Sequence, residues 1–415
     1  MRLHGKKNYY ALDLLSRFSC VGSDCSYHCC RGWVVGYDEP SYIKLKKSIN
    51  KHSQEYKFFK KNIKITHGDD PFHFAKIKLR ADGICSYLND DGLCSIQIGH
   101  GASCLSSICS NFPKEVSYLK DKVEITASLG CPEIVRLALF EKSTANKLIV
   151  ADASIVRDDS PVKQSISDVS KASQYLQLRS LVEDLLSKND YNYELIAFAL
   201  GFAVHKYISD GRSKGIDEYL TEHLINDCTA LFTEDDSGNE FSVSVISGVL
   251  VTRENVSGSE LTQLFEDIVM QHVLSQEQQT VTVDMQAMLR DYVEVKRFVE
   301  VQHKSVINTI FDNYIINYLT TVYCANDERL YKYIYILVLR LSVLKFLVYL
   351  TLARKFDVTQ EGAQLIEDLP DTVVDVVTRF SRAVGHMKGF FERTYDELAK
   401  NNEAGIAQLA ALVKF

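Results

Sequence analysis

The spacing of apolar and polar positions divides the chain into an irregular first third and a long helical remainder. After Asp38-Glu39-Pro40, an acidic cap with proline in the first turn, Tyr42, Leu45, Ile49, Tyr56 and Phe59 recur at three- and four-residue intervals. That spacing predicts one amphipathic helix to about residue 61. Around residues 84–111 cysteines alternate with Gly83, Gly92, Gly99 and Gly101, a pattern of loops and short turns. Glu115 to Gly130 reads as two alternating runs about a polar turn, which predicts a β-hairpin. Pro132 then stops strand pairing, and a short helix follows from Glu133 to about Lys142. Beyond it, helical periodicity covers residues 172–188, 191–209, 214–231, 259–300, 304–324, 328–356 and 371–399. The segment FSVSVISGVLV, behind the polar break FTEDDSGNE at 232–240, fits either a strand or a buried helix.

Residues 151–170 are polar, carry Pro161 and show little apolar periodicity, so they read as a linker. The predicted fold is therefore mainly α: a loop-rich cysteine domain with a small β-hairpin over residues 1–150, the linker, and an all-α helical domain over residues 171–415. No internal repeat is present. Charge follows the same division. The net charge of −7 combines 22 Lys and Arg against 15 Asp and Glu in residues 1–150 with 25 against 39 in the rest, +7 and −14.

Two features bear on location. The most apolar stretch, from Tyr331 to Phe356, carries Arg340 and Lys345 in its middle, each costing about 2.5–3.5 kcal/mol at a bilayer centre. It reads as a buried core helix, and no membrane span is expected. The first twenty residues lack an apolar signal core and a small-residue cleavage site, so a cytoplasmic protein is expected. Eight lysines lie between Lys44 and Lys64 with Glu55 as the only acid there, which gives a solvated face or a docking surface for an acidic partner. Nucleic acid is not indicated, because the chain is acidic overall and carries no nucleic-acid-binding motif.

Cysteine usage is the strongest chemical signal. Nine of the eleven cysteines lie between Cys20 and Cys131: Cys20, Cys25, Cys29 and Cys30 within eleven residues, then Cys85, Cys94, Cys104, Cys109 and Cys131. Cys228 and Cys324 stand apart in helical segments as ordinary core residues. A chain with 46% hydrophobic composition has ample material for a core and no need of a disulfide framework. In a reducing compartment, clustered thiols point to a metal or a metal cluster. The spacing lacks paired C-x2-C knuckles of the zinc type, and its irregularity suits iron–sulfur ligation slightly better.

The run F-x-C-x-G-S-x-C-x3-C-C-x-G-W at Phe18 to Trp33 is followed by C-S-Y-L at Cys85 and D-G-L-C-S-I at Cys94. With C-x2-F-P at Cys109 and S-L-x-C-P-E at Cys131, it resembles the flagellin lysine-N-methylase family. More distantly it is similar to small bacterial zinc- or iron-chelating domains. Eight cysteines match: Cys20, Cys25, Cys29, Cys30, Cys85, Cys94, Cys109 and Cys131. Cys104 is extra, and the usual Y-P-R reads Phe112-Pro113-Lys114 here. Phe380-Ser381-Arg382 with His386 looks like a C-terminal element of the same family. The resemblance implies an enzyme with a 4Fe-4S cluster on the eight-cysteine set, S-adenosylmethionine as methyl donor and flagellin lysines as substrate, with self-association left open.

Neither a glycine-rich nucleotide loop nor the C-x3-C-x2-C run of radical S-adenosylmethionine enzymes is present; Gly99-His100-Gly101 lacks a third glycine, and Gly32 stands where the third cysteine would. Lysine methylation needs a group that removes the ammonium proton, since the ordinary lysine pKa is about 10.4. Glu133, beside Cys131, is the candidate base, although a glutamate at a helix N-terminus is also favourable with the dipole. Trp33 shields the cluster or stacks on a nucleotide base. Arg382 and His386 share a helix face, as a hydrogen-bonding pair or as contacts for the methyl donor. His28 could replace a thiolate. A non-enzymatic metal-binding interaction module, holding zinc or a cluster, is the alternative.

Overall fold

Five strands drawn from both ends of the first 166 residues make the largest sheet in the computed structural model. The structure describes residues 8–33, 35–66, 71–141, 143–187, 191–231, 239–251, 260–277, 280–354, 363–386 and 389–415. By backbone contacts the chain forms two units: residues 1–134 with 147–167, and residues 135–146 with 168–415.

In the first unit β1 (Asn8–Leu12), β2 (Gly36–Tyr37), α1 (Glu39–Ser48), α2 (Gln54–Asn62), β3 (Ile63–Ile65) and β4 (Ala75–Ile77) precede the short helices α3 (Ser95–His100) and α4 (Ser107–Asn111). Then come β5 (Lys114–Leu119), β6 (Lys122–Ala127), helix α5 (Pro132–Leu139), β7 (Leu148–Val150) and β8 (Val162–Ile166). The hairpin expected from alternation is β5–β6, turning at Lys120 and Asp121, with Lys120 at φ 52°. It is not alone. β1 pairs parallel with β6, β7 antiparallel with β1, and β8 parallel with β5, giving the order β7-β1-β6-β5-β8. Residues 162–166, inside the stretch read as linker, thus close one edge of this sheet. Ala11, Val116, Tyr118, Val123 and Ile125 form its core. A second sheet, β2-β4-β3, packs with α1 and α2 around Tyr37, Leu45, Phe59 and Ile77.

The single helix expected to residue 61 is two. Asn50 accepts the His52 amide at 3.0 Å and Ser53 caps α2 by accepting the Tyr56 amide at 3.1 Å, so local side-chain bonds take over the backbone between Ser48 and Gln54.

The second unit is helical: α6 (Ser173–Ser187), α7 (Tyr193–Ser209), α8 (Glu222–Leu231), α9 (Asn239–Val251), α10 (Glu260–Val269), the hairpin β9 (Val273–Glu277) with β10 (Thr280–Val283), and α11 (Met285–Gln302). It ends with α12 (Lys304–Thr321), α13 (Leu330–Ala353), α14 (Ala363–His386), α15 (Phe390–Lys400) and α16 (Ile406–Lys414). Three expectations change here. The helix read over 259–300 is interrupted by β9–β10, because the β-branched alternation V-T-V overrides helical spacing, and Asp284 starts α11 afresh by accepting the Ala287 amide at 2.9 Å. Residues 214–221 hold only a short 3-10 turn before Thr221 caps α8. The helix read over 371–399 breaks at Gly389, whose φ of +71° suits glycine. FSVSVISGVLV lies within helix α9.

Helix α13 is long and apolar enough to cross a membrane by length and composition, with a mean hydropathy of 2.1 over the best window of Asp327–Ala353, but 89% of that window is buried. Burial of Lys345 is satisfied inside the unit: its ammonium bonds the Glu194 carboxylate and, at 3.0 Å, the Val413 carbonyl. This is the core helix expected from its two basic residues, with α7, α11, α14 and α16 packed on it.

Candidate metal centre

The thiols are positioned by short segments whose ends are fixed by side-chain hydrogen bonds. Cys29 and Cys30 lie in a turn that Gly32 completes at φ +83°. The Cys85 amide donates to the Cys30 carbonyl at 2.7 Å, and isolated bridges at Arg31–Ile84 and Leu88–Cys94 hold the neighbouring backbone. Cys109 sits in α4, whose first turn is capped by Ser106 accepting the Cys109 amide at 3.1 Å. Beneath them, Asp38 accepts the amides of Ser41 at 2.9 Å and Ser107 at 2.8 Å, anchoring α1 and α4 to one carboxylate. Burial alone would raise the Asp38 pKa, but these amide bonds outweigh it and hold the carboxyl below its usual range. The Tyr37 hydroxyl donates to the Cys104 carbonyl.

The eight matched cysteines fall into two groups. Cys85, Cys94, Cys109 and Cys30 all belong to or pack on the α1–α2 core. The Cys30 thiol is hydrogen-bonded between Cys29 and Cys85; these bonds raise its pKa, and the bond from Cys30 lowers that of Cys85. Cys94 is pushed up by burial, and Cys109, also by burial, to about 12, each within electrostatic reach of Cys29 and Cys85. Cys131 instead feels Cys25 and Cys20; burial raises it to about 11, partly offset by the Ile134 and Glu133 amides at the start of α5. The fold thus gathers Cys29, Cys30, Cys85, Cys94 and Cys109, and separately Cys20, Cys25 and Cys131. Cys104, the unmatched one, is a buried core residue.

Among the described residues no three His, Cys, Asp or Glu side chains are placed to hold a metal ion. A single zinc requires its thiolates about 2.3 Å from one point. An iron–sulfur cluster is held through its separate irons and spreads its four thiolates more widely. Of the five thiols Cys85 is buried, Cys30, Cys94 and Cys109 are half-buried and Cys29 is exposed, a soft donor set of the kind that either group takes. Trp33 covers part of this region: its indole donates to the Cys29 carbonyl at 2.6 Å and its ring lies 6.3 Å from that of Phe112.

The remaining sequence candidates are placed as follows. Glu133 is half-buried in the first turn of α5, with its amide toward the Cys131 sulfur. His28 packs against Gly92, where an added Cβ would stand 3.0 Å from its ring. Arg382 is half-buried near the end of α14, and Phe380 before it is buried 6.0 Å from Phe391. His386 ends that helix, and its side chain lies outside the described residues.

Sequence reasoning missed Arg157. Its guanidinium donates to the Leu105 carbonyl at 3.1 Å, to Ser110 at 3.2 Å and to Ser41 at 3.2 Å, and pairs with Asp159 at 2.6 Å. It ties the stretch read as linker to both ends of the Cys104–Cys109 segment. No pattern signals this from sequence, since Arg-Asp-Asp reads as polar surface.

A family model described as the FliB lysine N-methylase C-terminal domain matches residues 179–413, more than half of the chain. The flagellar biosynthetic protein FliU of Salmonella muenchen is 36% identical over 121 residues, 29% of this chain and 70% of that protein. Lysine-N-methylases of Salmonella typhimurium and Salmonella choleraesuis are 36% identical over 121 residues, 29% of this chain and 29% of each enzyme. The match therefore spans less than a third of the length of those two enzymes. No solved structure matches. With the helical half covered by the family model, the chain belongs to the FliB family of lysine N-methylases.

Proposed function

We propose that the protein transfers methyl groups from S-adenosylmethionine to the side-chain nitrogen of flagellin lysines, and that a 4Fe-4S cluster on its amino-terminal cysteines takes part. One observation carries the reading: a chain of the lysine N-methylase family gathers Cys30, Cys85, Cys94 and Cys109 on one core, with the exposed Cys29 within electrostatic reach of them. The similarity to FliU, a flagellar biosynthetic protein, supports a flagellar substrate. The reading includes a cytoplasmic reaction, on flagellin that has not yet been exported.

The cluster's four thiolates come from those five cysteines. When bound, it supplies an electron source or a binding edge for the sulfonium donor. The chain's own residues do the rest. Cys85 and Cys94 are held by the bridges to Leu79 and Leu88, Cys109 by the Ser106 cap, and the Cys29 backbone by the Trp33 indole. Glu133 is the carboxylate beside the second thiol group and a base candidate, while Arg382 and His386 are candidate contacts for the donor's carboxylate.

Anaerobically purified holoprotein, given S-adenosylmethionine, a reductant and flagellin, is the test. Mass increments of about 14 Da on lysine, one methyl replacing one N–H proton, are expected, with none from apoprotein. Equal methylation by cluster-free protein would make the centre structural, and no methylation under any reducing condition would move the reading to a metal-binding interaction module.

A further inference from the structure

Helix α12 carries a carboxyl group with one oxygen that its surroundings leave unanswered. Asp312 is 8% exposed, and its Oδ1 is buried without a hydrogen-bond partner. It follows Phe311 in the run Ile310-Phe311-Asp312-Asn313-Tyr314-Ile315, where every neighbour is buried. The neighbouring Asn313 is satisfied by the carbonyls of Leu139 at 3.0 Å and Glu141 at 2.5 Å, and Asn317 by Asn146 at 3.1 Å. Asp312 alone of these three faces a cleft of about 400 Å³, lined by Tyr191, Lys304, Ser305, Asn308, Thr309 and Asp312. Lys304, Ser305, Asn308, Thr309 and Asp312 follow the four-residue repeat and so share one face of the helix.

An unpartnered carboxylate in a low-dielectric wall is costly, and a cation or a proton relieves it most fully. Burial is the sole cause that pushes the Asp312 carboxyl up, to about 8, so no neighbouring cation offsets it. Lys304 lines the same cleft but lies eight residues, about 12 Å, away along the helix axis. Ser305, Asn308, Thr309 and Tyr191 offer neutral polar groups between the two. An amine on an unbranched stem suits this arrangement: the cleft has room for the stem, and the amine brings a cation to the acid in its wall.

We propose that this cleft receives the side chain of a substrate lysine, with Asp312 as counter-ion and proton acceptor for its ammonium. The inference rests on the methylation reading and assigns it a substrate pocket. The entering ammonium draws Asp312 into its ionised form, with the acid's own proton released to solvent; the Nζ–H proton then passes to a carboxylate oxygen of Asp312, and the electron pair of the broken N–H bond stays on nitrogen as the lone pair that methylation requires. Asp312, rather than Glu133, is then the group that makes the amine reactive.

The test uses full-length holoprotein and two probes, Nα-acetyl-lysine methylamide and its norleucine counterpart, titrated by calorimetry into wild type and Asp312→Asn. The asparagine is isosteric with the protonated acid, and an unchanged melting temperature at pH 5 verifies the fold; Thr309→Phe, which fills the exposed opening, examines the same cleft should that variant not fold. The lysine probe is expected to bind wild type and the norleucine probe not to, with affinity falling about tenfold or more in Asp312→Asn. Flagellin methylation should fall with it, while Glu133→Gln retains probe binding. Equal binding and equal methylation by Asp312→Asn would overturn the site and leave the methylation reading standing. Binding that needs Asp312 in a wild type that methylates nothing would uphold the site and sink that reading. Loss of S-adenosylmethionine binding in Asp312→Asn with the lysine probe unaffected would also overturn the proposal.

Discussion

Asp38 accepts the backbone amide of Ser107 at 2.8 Å across 69 residues of chain, with its other oxygen on the Ser41 amide. One carboxylate therefore fixes the start of α1 and the start of α4, and between those points lie Cys85, Cys94 and Cys104. Removing it leaves two buried amides without an acceptor. Asp38→Ala is expected to cost about 2–4 kcal/mol in chemical denaturation, as an N-cap and a buried charged hydrogen bond are lost together. The sign of the pH effect follows from the lowered carboxyl pKa: the contribution is present above the ordinary carboxylate range and is lost as pH falls through the folded-state value. Wild type should lose stability between pH 5 and 3 more steeply than Asp38→Ala, and parallel curves for the two proteins would refute the assignment.

The division of the thiols predicts unequal effects of cysteine replacement. Cys30→Ala and Cys85→Ala, within the larger group, should remove most of the iron from anaerobically purified protein. Cys131→Ala should retain most of it, because Cys131 stands with Cys20 and Cys25 instead. Cys104, Cys228 and Cys324 are buried core residues, and their alanine variants should keep the full iron content. Iron analysis with the absorption band near 400 nm decides it, and full retention in Cys30→Ala and Cys85→Ala would remove the larger group as the ligand set.

Much of this was readable from the chain, and the failures share a cause. The cysteines stood out because nine of eleven lie in the first 131 residues, and α13 stood out because a long apolar run with a buried lysine has few other solutions. The β5–β6 hairpin was legible because its partners are adjacent. β1, β7 and β8 were not: they are three to five residues long and find partners far away in sequence. The same limit hid the thiol grouping, since Cys131 lies more than a hundred residues along the chain from Cys20 and Cys25. Asp312 left only a faint trace, a lone acid in Phe-Asp-Asn-Tyr-Ile-Ile three and four residues before Ile315 and Ile316.

Arg157 offers a test of whether the stretch after residue 150 supports the cysteine segment. Its guanidinium reaches Leu105, Ser110 and Ser41 at once, which a single ammonium cannot reproduce. Arg157→Lys should therefore recover little of the roughly 1–3 kcal/mol lost in Arg157→Ala. The local consequence is sharper than the global one: Cys109, two residues beyond the Ser107 anchor, should react faster with a thiol reagent in both variants. Unchanged Cys109 reactivity would show that Asp38 and the Ser106 cap hold the segment without Arg157.

Stability should also report on Asp312. Its folded-state pKa, raised by burial to about 8, means that folding favours the protonated acid. Stability is accordingly complete below the ordinary carboxyl pKa of about 4 and is lost as pH rises toward 8, at about 1.4 kcal/mol for each unit of displacement. Asp312→Asn carries no such penalty. The two proteins should unfold at similar denaturant concentrations at pH 5, and the variant should become the more stable by several kcal/mol at pH 8.5, after which the difference stays level. A saturating lysine probe should narrow the gap at pH 8.5 by stabilising only the wild type, since a ligand stabilises the state it binds. A variant that is less stable than wild type at both pH values would mean that the carboxylate already has a partner in the folded protein.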